Sequence, residues 1–343
     1  MKKMMLILAL FIFACSQNVQ RTFTFNYTVK IKSSNGKKIE LWIPIPQSSP
    51  VQTIENIEIE SDGLNYSIEE EKVHRNQYLY INHVDGSFNE KIISISFITN
   101  RKEHQNMEYD GVFSEDYLDA YSMVSIGDTF SEVIKNNRLS KNNIRGIYDY
   151  VLSGMHYGKP KNIGDEYYND PWLNSHEKYG NKGVSRDEVV SLYQQAKSEG
   201  GDYTFGNGNS LYACEIGVGN CTDYHSYFMS LTRTLGLPTR FHMGFPIPAE
   251  NEGTVSGYHC WADYYVEGEG WYPVDISEAD KHPQKSDYFF GTVCENRVEM
   301  MVGRDFVLEG YGEETVNLFI YPLLEIGDEP STSFTKHFSY KNI

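Results

Sequence analysis

Three residues have the types and chain order that thiol chemistry needs: Cys221, His259 and Asp275. Cys221 follows Gly219-Asn220. Behind it Tyr224, Tyr227, Phe228, Leu231 and Leu235 recur at helical spacing, with Gly236 at the C-terminal cap and Pro238 just beyond. The cysteine is therefore expected at the first turn of a core-facing helix, where unpaired N–H groups and the helix dipole favour a thiolate. A thiolate nucleophile needs an imidazole to carry its proton, and the imidazole needs a carboxylate or amide to orient it. His259 and Asp275 fall on two expected strands, 259–266 and 271–276, joined through Glu267-Gly-Glu-Gly270. A four-residue turn there sets Asp275 opposite Ala262 and turns His259 to the other face. Shifting the register by one sets Asp275 opposite Trp261 and diagonal to His259, about 7–8 Å away at Cα. The triad thus requires an uneven turn or a bulge.

Other assignments compete for the same side chains. A buried cysteine or histidine is often only a packed core residue. His225, four residues after Cys221 on the same helix face, could serve the thiol instead of His259. A metal set drawn from Cys214, Cys221, His225, His259 and Cys260 fits no zinc spacing. No metal or other cofactor is expected. A Cys214–Cys221 disulfide would make the site redox-dependent. For an oxyanion, the N–H groups of Cys221 and Thr222 stand at the helix start, and Asn220, Tyr203 or Trp172 could add a side-chain donor.

The elements that must position these groups differ along the chain. Residues 21–100 alternate apolar and polar residues between turn formers, which reads as a β-sandwich. Residues 106–140 are polar and weakly patterned, a connector with one short helix. From 141 the period becomes helical: Ile144, Ile147, Tyr148 and Val151 form one stripe. A capping-box spacing at Ser185-Arg-Asp-Glu188 opens another helix ending near Gly200-Gly201. Between them, 157–184 is a long loop rich in Gly, Asn, Asp and Tyr.

Several blocks together resemble the transglutaminase-like core. They are Gly219-Asn-Cys-Thr-Asp-Tyr-His-Ser226, Leu231-Thr-Arg-Thr-Leu-Gly-Leu-Pro-Thr-Arg240, Gly244, Tyr258-His-Cys-Trp-Ala262 and Gly270-Trp-Tyr-Pro-Val-Asp275. The resemblance implies an α+β chain, an N-terminal β-sandwich followed by a papain-like transglutaminase core. It implies Cys221 as nucleophile, His259 as general base and acid, and Asp275 as orienter. Leu41-Trp-Ile-Pro-Ile-Pro46 looks like the sandwich that precedes this core in bacterial members, and Gly303 to Ile320 like their closing strands. The chain departs from animal members, which carry Trp where Thr222 stands.

The ends and the charge complete the reading. Lys2 and Lys3, an apolar run to Phe13, then Ala14-Cys15 form an export signal, and Ile12-Phe-Ala-Cys15 resembles a bacterial lipobox. This implies cleavage before Cys15, lipid on its sulfur, and an extracytoplasmic protein held to a bacterial membrane by the lipid anchor only. Removing residues 1–14 takes two lysines and no acid, moving the net charge from −17 to −19. So acidic a surface repels phosphate backbones, and nucleic acid is not an expected partner. The expected organisation is signal 1–14, sandwich 15–105, connector 106–140, core 141–300 and closing strands 301–343. The expected function is acyl transfer or hydrolysis at carboxamide or peptide bonds through a thioester, on a peptide, protein or cell-wall peptide. The alternative is a catalytically inactive surface lipoprotein that binds peptide or glycan.

Overall fold

Alternation of apolar residues builds the first layer. In β1 (Gln20–Ile31), Phe23, Phe25, Tyr27, Val29 and Ile31 all point into one core while the residues between them face outward. β1 pairs antiparallel with β6 (Lys91–Lys102), and β6 with β3 (Gln52–Glu60). A second sheet orders β14 (Leu323–Ile326), β2 (Ile39–Ile45), β5 (Gln77–His83) and β4 (Ser67–Glu70). Ile39, Leu41, Ile43 and Ile45 of β2 join the β1 side chains in one apolar cluster, so the two sheets form a sandwich. The structure is a computed structural model that describes residues 19–158, 186–199, 201–312 and 315–343. Cys15, Trp172 and the capping box at Ser185 lie outside the described residues.

The sandwich is closed from the far end of the chain. β15 (Phe334–Asn342) pairs with β1 along its length, between β1 and the short β10 (Glu252–Thr254). Phe338 sits edge-on to Tyr27 at 4.6 Å. The closing strands therefore begin after Ile320. Among the described residues of 303–320, expected to hold them, the one pairing is a bridge between Phe306 and Val316. Their apolar residues Phe306, Phe319 and Ile320 pack into the sandwich core without strand pairing.

The core domain is a third sheet with helices. Its order is β12 (Gly270–Val274), β11 (His259–Val266), β9 (Thr239–Pro246) and β13 (Arg297–Val302). α1 (Asp128–Asn137), α2 (Ile144–Gly154), α4 (Ser210–Ile216), α5 (Cys221–Thr234) and α6 (Ile276–Lys281) surround one cluster of Tyr224, Phe228 and Leu231 against Ala262 and Val274. α3 (Arg186–Glu199) covers the helix expected there. The two-residue strands β7 (His156–Tyr157) and β8 (Val218–Gly219) pair in parallel and lead the chain to Cys221. In β9, Gly244 is required by a close approach: a Cβ there would lie 1.9 Å from the Val298 carbonyl oxygen of β13.

Candidate active site

The first turn of α5 is tied down before its chemistry begins. Asn220 caps the helix, accepting from the Thr222 N–H at 2.9 Å, and Asp223 accepts from the Asn220 N–H at 3.0 Å, completing a capping box. Asp223 also takes the N–H groups of Gly206 and Gly208, at 2.9 and 3.0 Å. Gly208 has φ +64°, and a Cβ there would lie 2.6 Å from Thr222 Cγ2, so only glycine fits. Cys221 is buried, and as the first residue of the helix its N–H has no carbonyl four residues back.

The hairpin takes the shifted register. Val266 pairs with Gly270 and Ala262 with Val274, so the turn holds three residues and the next row sets Asp275 opposite Trp261. Asp275 then leaves the strand as the N-cap of α6. Its two oxygens divide the work. Oδ1 accepts from the Glu278 N–H and the Ser277 hydroxyl, both at 3.1 Å. Oδ2 accepts from His259 Nε2 at 2.7 Å and from Arg297 Nη1 at 3.1 Å. With Nε2 on Asp275, the other imidazole nitrogen is left to serve Cys221, with which His259 interacts electrostatically.

The electrostatics favour an ion pair. Burial opposes charge on His259, but Asp275 and Cys221 outweigh it and push the imidazole up to about 10. Cys260 first and then His259 hold the Cys221 thiol well below the ordinary thiol range against burial. Burial pushes Cys260 up, so it stays protonated. For Asp275, burial is overcome by His259 and then Arg297, which hold the carboxyl well below the usual range.

The competing residues are placed elsewhere. His225 accepts from the Ile276 N–H at Nε2 (3.1 Å), so its Nδ1 donates to the Cys221 carbonyl (2.7 Å); burial lowers its pKa. Both nitrogens are committed to backbone, which leaves none for the thiol. Cys214 packs beside Tyr227 in the helical cluster, and no disulfide joins it to Cys221. Tyr203 donates to Glu215 at 2.5 Å and its ring meets Tyr212, so its hydroxyl is spent away from the thiol. The Asn220 side-chain oxygen is spent on the cap.

Sequence reasoning missed Arg297, Cys260 and two tyrosines. Arg297 reaches Asp275 from β13 and lies 4.9 Å over Trp261. Cys260 is adjacent to His259, but strand alternation, which turns neighbours to opposite faces, hid that both act on the Cys221 thiol. Tyr258 sets its hydroxyl 3.1 Å from Thr222 Oγ1, and Lys281 lies 4.6 Å over the Tyr157 ring. Both phenols are raised by burial, Tyr157 next by Cys221 and Tyr258 next by Cys260, then Cys221, so they remain protonated.

A helix start that bears a buried cysteine, set against a His–Asp pair on an antiparallel sheet, is the arrangement of a papain-like fold. Residues 176–276 match the family model of the transglutaminase-like superfamily. An uncharacterized protein of Haemophilus influenzae is 23% identical over 357 residues, covering 93% of this chain and 89% of that one. The solved structure of a putative cysteine protease from Cytophaga hutchinsonii shares the fold at TM-score 0.53 and 11% identity, covering 95% of this chain and 92% of that one.

Proposed function

We propose that the protein is an acyl-transfer enzyme of the thiol type. The Cys221 thiolate attacks a carboxamide or peptide carbonyl, and the Cys221 N–H faces the developing oxyanion. The His259 imidazolium gives its proton to the leaving amine, and a thioester forms. Neutral His259 then takes a proton from water or a second amine, which displaces Cys221 as thiolate. Water yields a carboxylic acid; an amine yields a new amide. The observation that carries this reading is the buried His259–Asp275 hydrogen bond at 2.7 Å, with Arg297 behind the carboxylate and Cys221 near enough to shift the imidazole upward. The lipobox-like Ile12-Phe-Ala-Cys15 supports an exported, lipid-anchored protein acting on peptides, proteins or cell-wall peptides.

The test is interception of the thioester. A mixed peptide pool is incubated with the protein and hydroxylamine, which converts a thioester to a hydroxamate and frees the thiol. Hydroxamates are expected by mass analysis with the wild type and none with Cys221→Ala. Absence of both hydroxamate and hydrolysis in the wild type, with peptide binding intact in Cys221→Ala, contradicts the enzyme and favours a binding protein.

A further inference from the structure

β6 carries its inward row beyond the apolar core of the sandwich. Ile93, Ile95 and Phe97 are followed on the same face by Thr99 and Arg101, both fully buried. The Arg101 guanidinium therefore enters the interior between the sandwich and the core sheet, where it lies 5.8 Å from the centre of the Trp261 ring. None of its three nitrogens meets a hydrogen-bond acceptor among the described residues. Glu299 is the main opposing charge it feels, yet the ion pair of Glu299 is with His242, at 2.9 Å. Burial accordingly pulls the Arg101 pKa down, against what Glu299 restores. Neighbouring donors are unmatched too: Thr99 Oγ1, Arg297 Nε and Trp261 Nε1 are buried and meet no acceptor among the described residues. A buried donor without an acceptor is costly, and a charged one more so.

The charges around Arg101 do not cancel. His242 sets Nδ1 2.9 Å from Glu299 Oε2 and Nε2 3.1 Å from Asp263 Oδ2. Carboxylates only accept, so both nitrogens carry protons and the ring is an imidazolium. Arg240 makes a two-pronged pair with Asp263. Arg240 and His242 thus already balance Asp263 and Glu299. Arg297 balances Asp275 at 3.1 Å. The His259–Cys221 couple is neutral as a unit, whichever of the two holds the shared proton. Tyr109, raised by burial, adds no charge. One positive charge, that of Arg101, is left over.

We propose that Arg101 holds one monovalent halide ion, of the chloride class, as a fixed internal counter-ion between the sandwich and the core sheet. A halide accepts from several donors at once and matches the single missing charge. A water molecule would accept from the guanidinium but leave its charge uncancelled, and a divalent anion would overshoot the balance. The site is distinct from the thiol site. Trp261 stands between them, with the His259 ring stacked on it at 6.5 Å. The ion serves the fold: it binds the folded chain and not the unfolded one, and so stabilises the junction that Arg101 enters.

The test is thermal unfolding of the full chain, dialysed into sodium gluconate and then titrated with sodium chloride or sodium bromide at constant ionic strength. Either halide is expected to raise the unfolding midpoint by about 5 °C and then level off, whereas sodium sulfate at the same ionic strength gives no saturating rise. Arg101→Met, which removes the charge and keeps an apolar stem against Trp261, is expected to fold and to show no halide response. Crystals of the wild type grown with bromide are expected to show an anomalous peak at the Arg101 guanidinium, which decides the matter should the variant not fold. An equal midpoint in gluconate and in halide, an undiminished halide response in Arg101→Met, or density at the guanidinium without anomalous signal would overturn the proposal.

Discussion

Asp275→Asn is expected to lower the rate of thioester formation about ten-thousandfold while leaving the chain folded. The size follows from the division of labour at that side chain. Both Asp275 oxygens accept, one from the Glu278 N–H and Ser277, the other from His259 and Arg297. An asparagine can keep only one oxygen. If that oxygen stays on the α6 cap, its NH2 faces the His259 N–H and the Arg297 guanidinium, two donors. The imidazole then loses the group that fixes its tautomer and supports its charge. Single-turnover acylation by a responsive peptide, with circular dichroism as the folding control, measures this. A loss of less than about tenfold would mean that Asp275 serves mainly as a helix cap, whose removal costs about 1 kcal/mol of stability.

Arg304→Met is expected to destabilise the fold by about 4 kcal/mol, since several buried acceptors lose a charged donor at once. Arg304 is fully buried. It donates to the Gly208 and Asn207 carbonyls at 3.0 Å each, to Ser226 Oγ at 2.5 Å, and through Nε and Nη2 to the Asn317 side chain. Ser226 in turn donates to the Thr222 carbonyl at 2.7 Å. Arg304 and Asp223 therefore hold the 206–208 loop from opposite sides against the helix turn that carries Cys221. Methionine preserves most of the volume but none of the donors. Urea unfolding measures the difference; a loss below about 1.5 kcal/mol, the usual limit for a volume-conserving apolar exchange, would mean that Arg304 fills space rather than bonds.

How much of this could be read from the chain depended on distance along it. The helix behind Cys221 was legible because its apolar spacing, its cap and its closing Gly-Pro pair lie within about twenty residues. The need for a shifted hairpin was legible too, since side-chain alternation leaves few registers that bring His259 and Asp275 together. The three-residue turn that supplies the shift was not, because Gly268 and Gly270, both at positive φ, allow several turn lengths. The partners from distant strands were hidden. Arg297 reaches Asp275 only because β13 lies beside β9, and nothing local to Asn296-Arg297-Val298 announces it. Phe334–Asn342 closes the first sheet through pairing with residues some three hundred positions earlier. No periodicity within a segment records such a partner. Tyr203 looked available as a donor since the sequence could not show that Glu215 accepts its hydrogen bond.

The central claim is that Cys221 and His259 form a thiolate–imidazolium pair before substrate arrives. Burial alone would keep the thiol neutral; Cys260 and then His259 reverse that. Since the Cys221 thiol is held well below its ordinary range and His259 up to about 10, the pair persists until the imidazolium deprotonates near that pH. The direct measurement is the pH dependence of Cys221 alkylation by iodoacetamide in residues 21–343, beside the same chain carrying His259→Ala. The expected result is a rate plateau extending well below the free-cysteine pKa of about 8.5, with the plateau displaced to higher pH when His259 is removed. A rate that rises only near 8.5 in both proteins would contradict the ion pair and leave Cys221 an ordinary buried thiol.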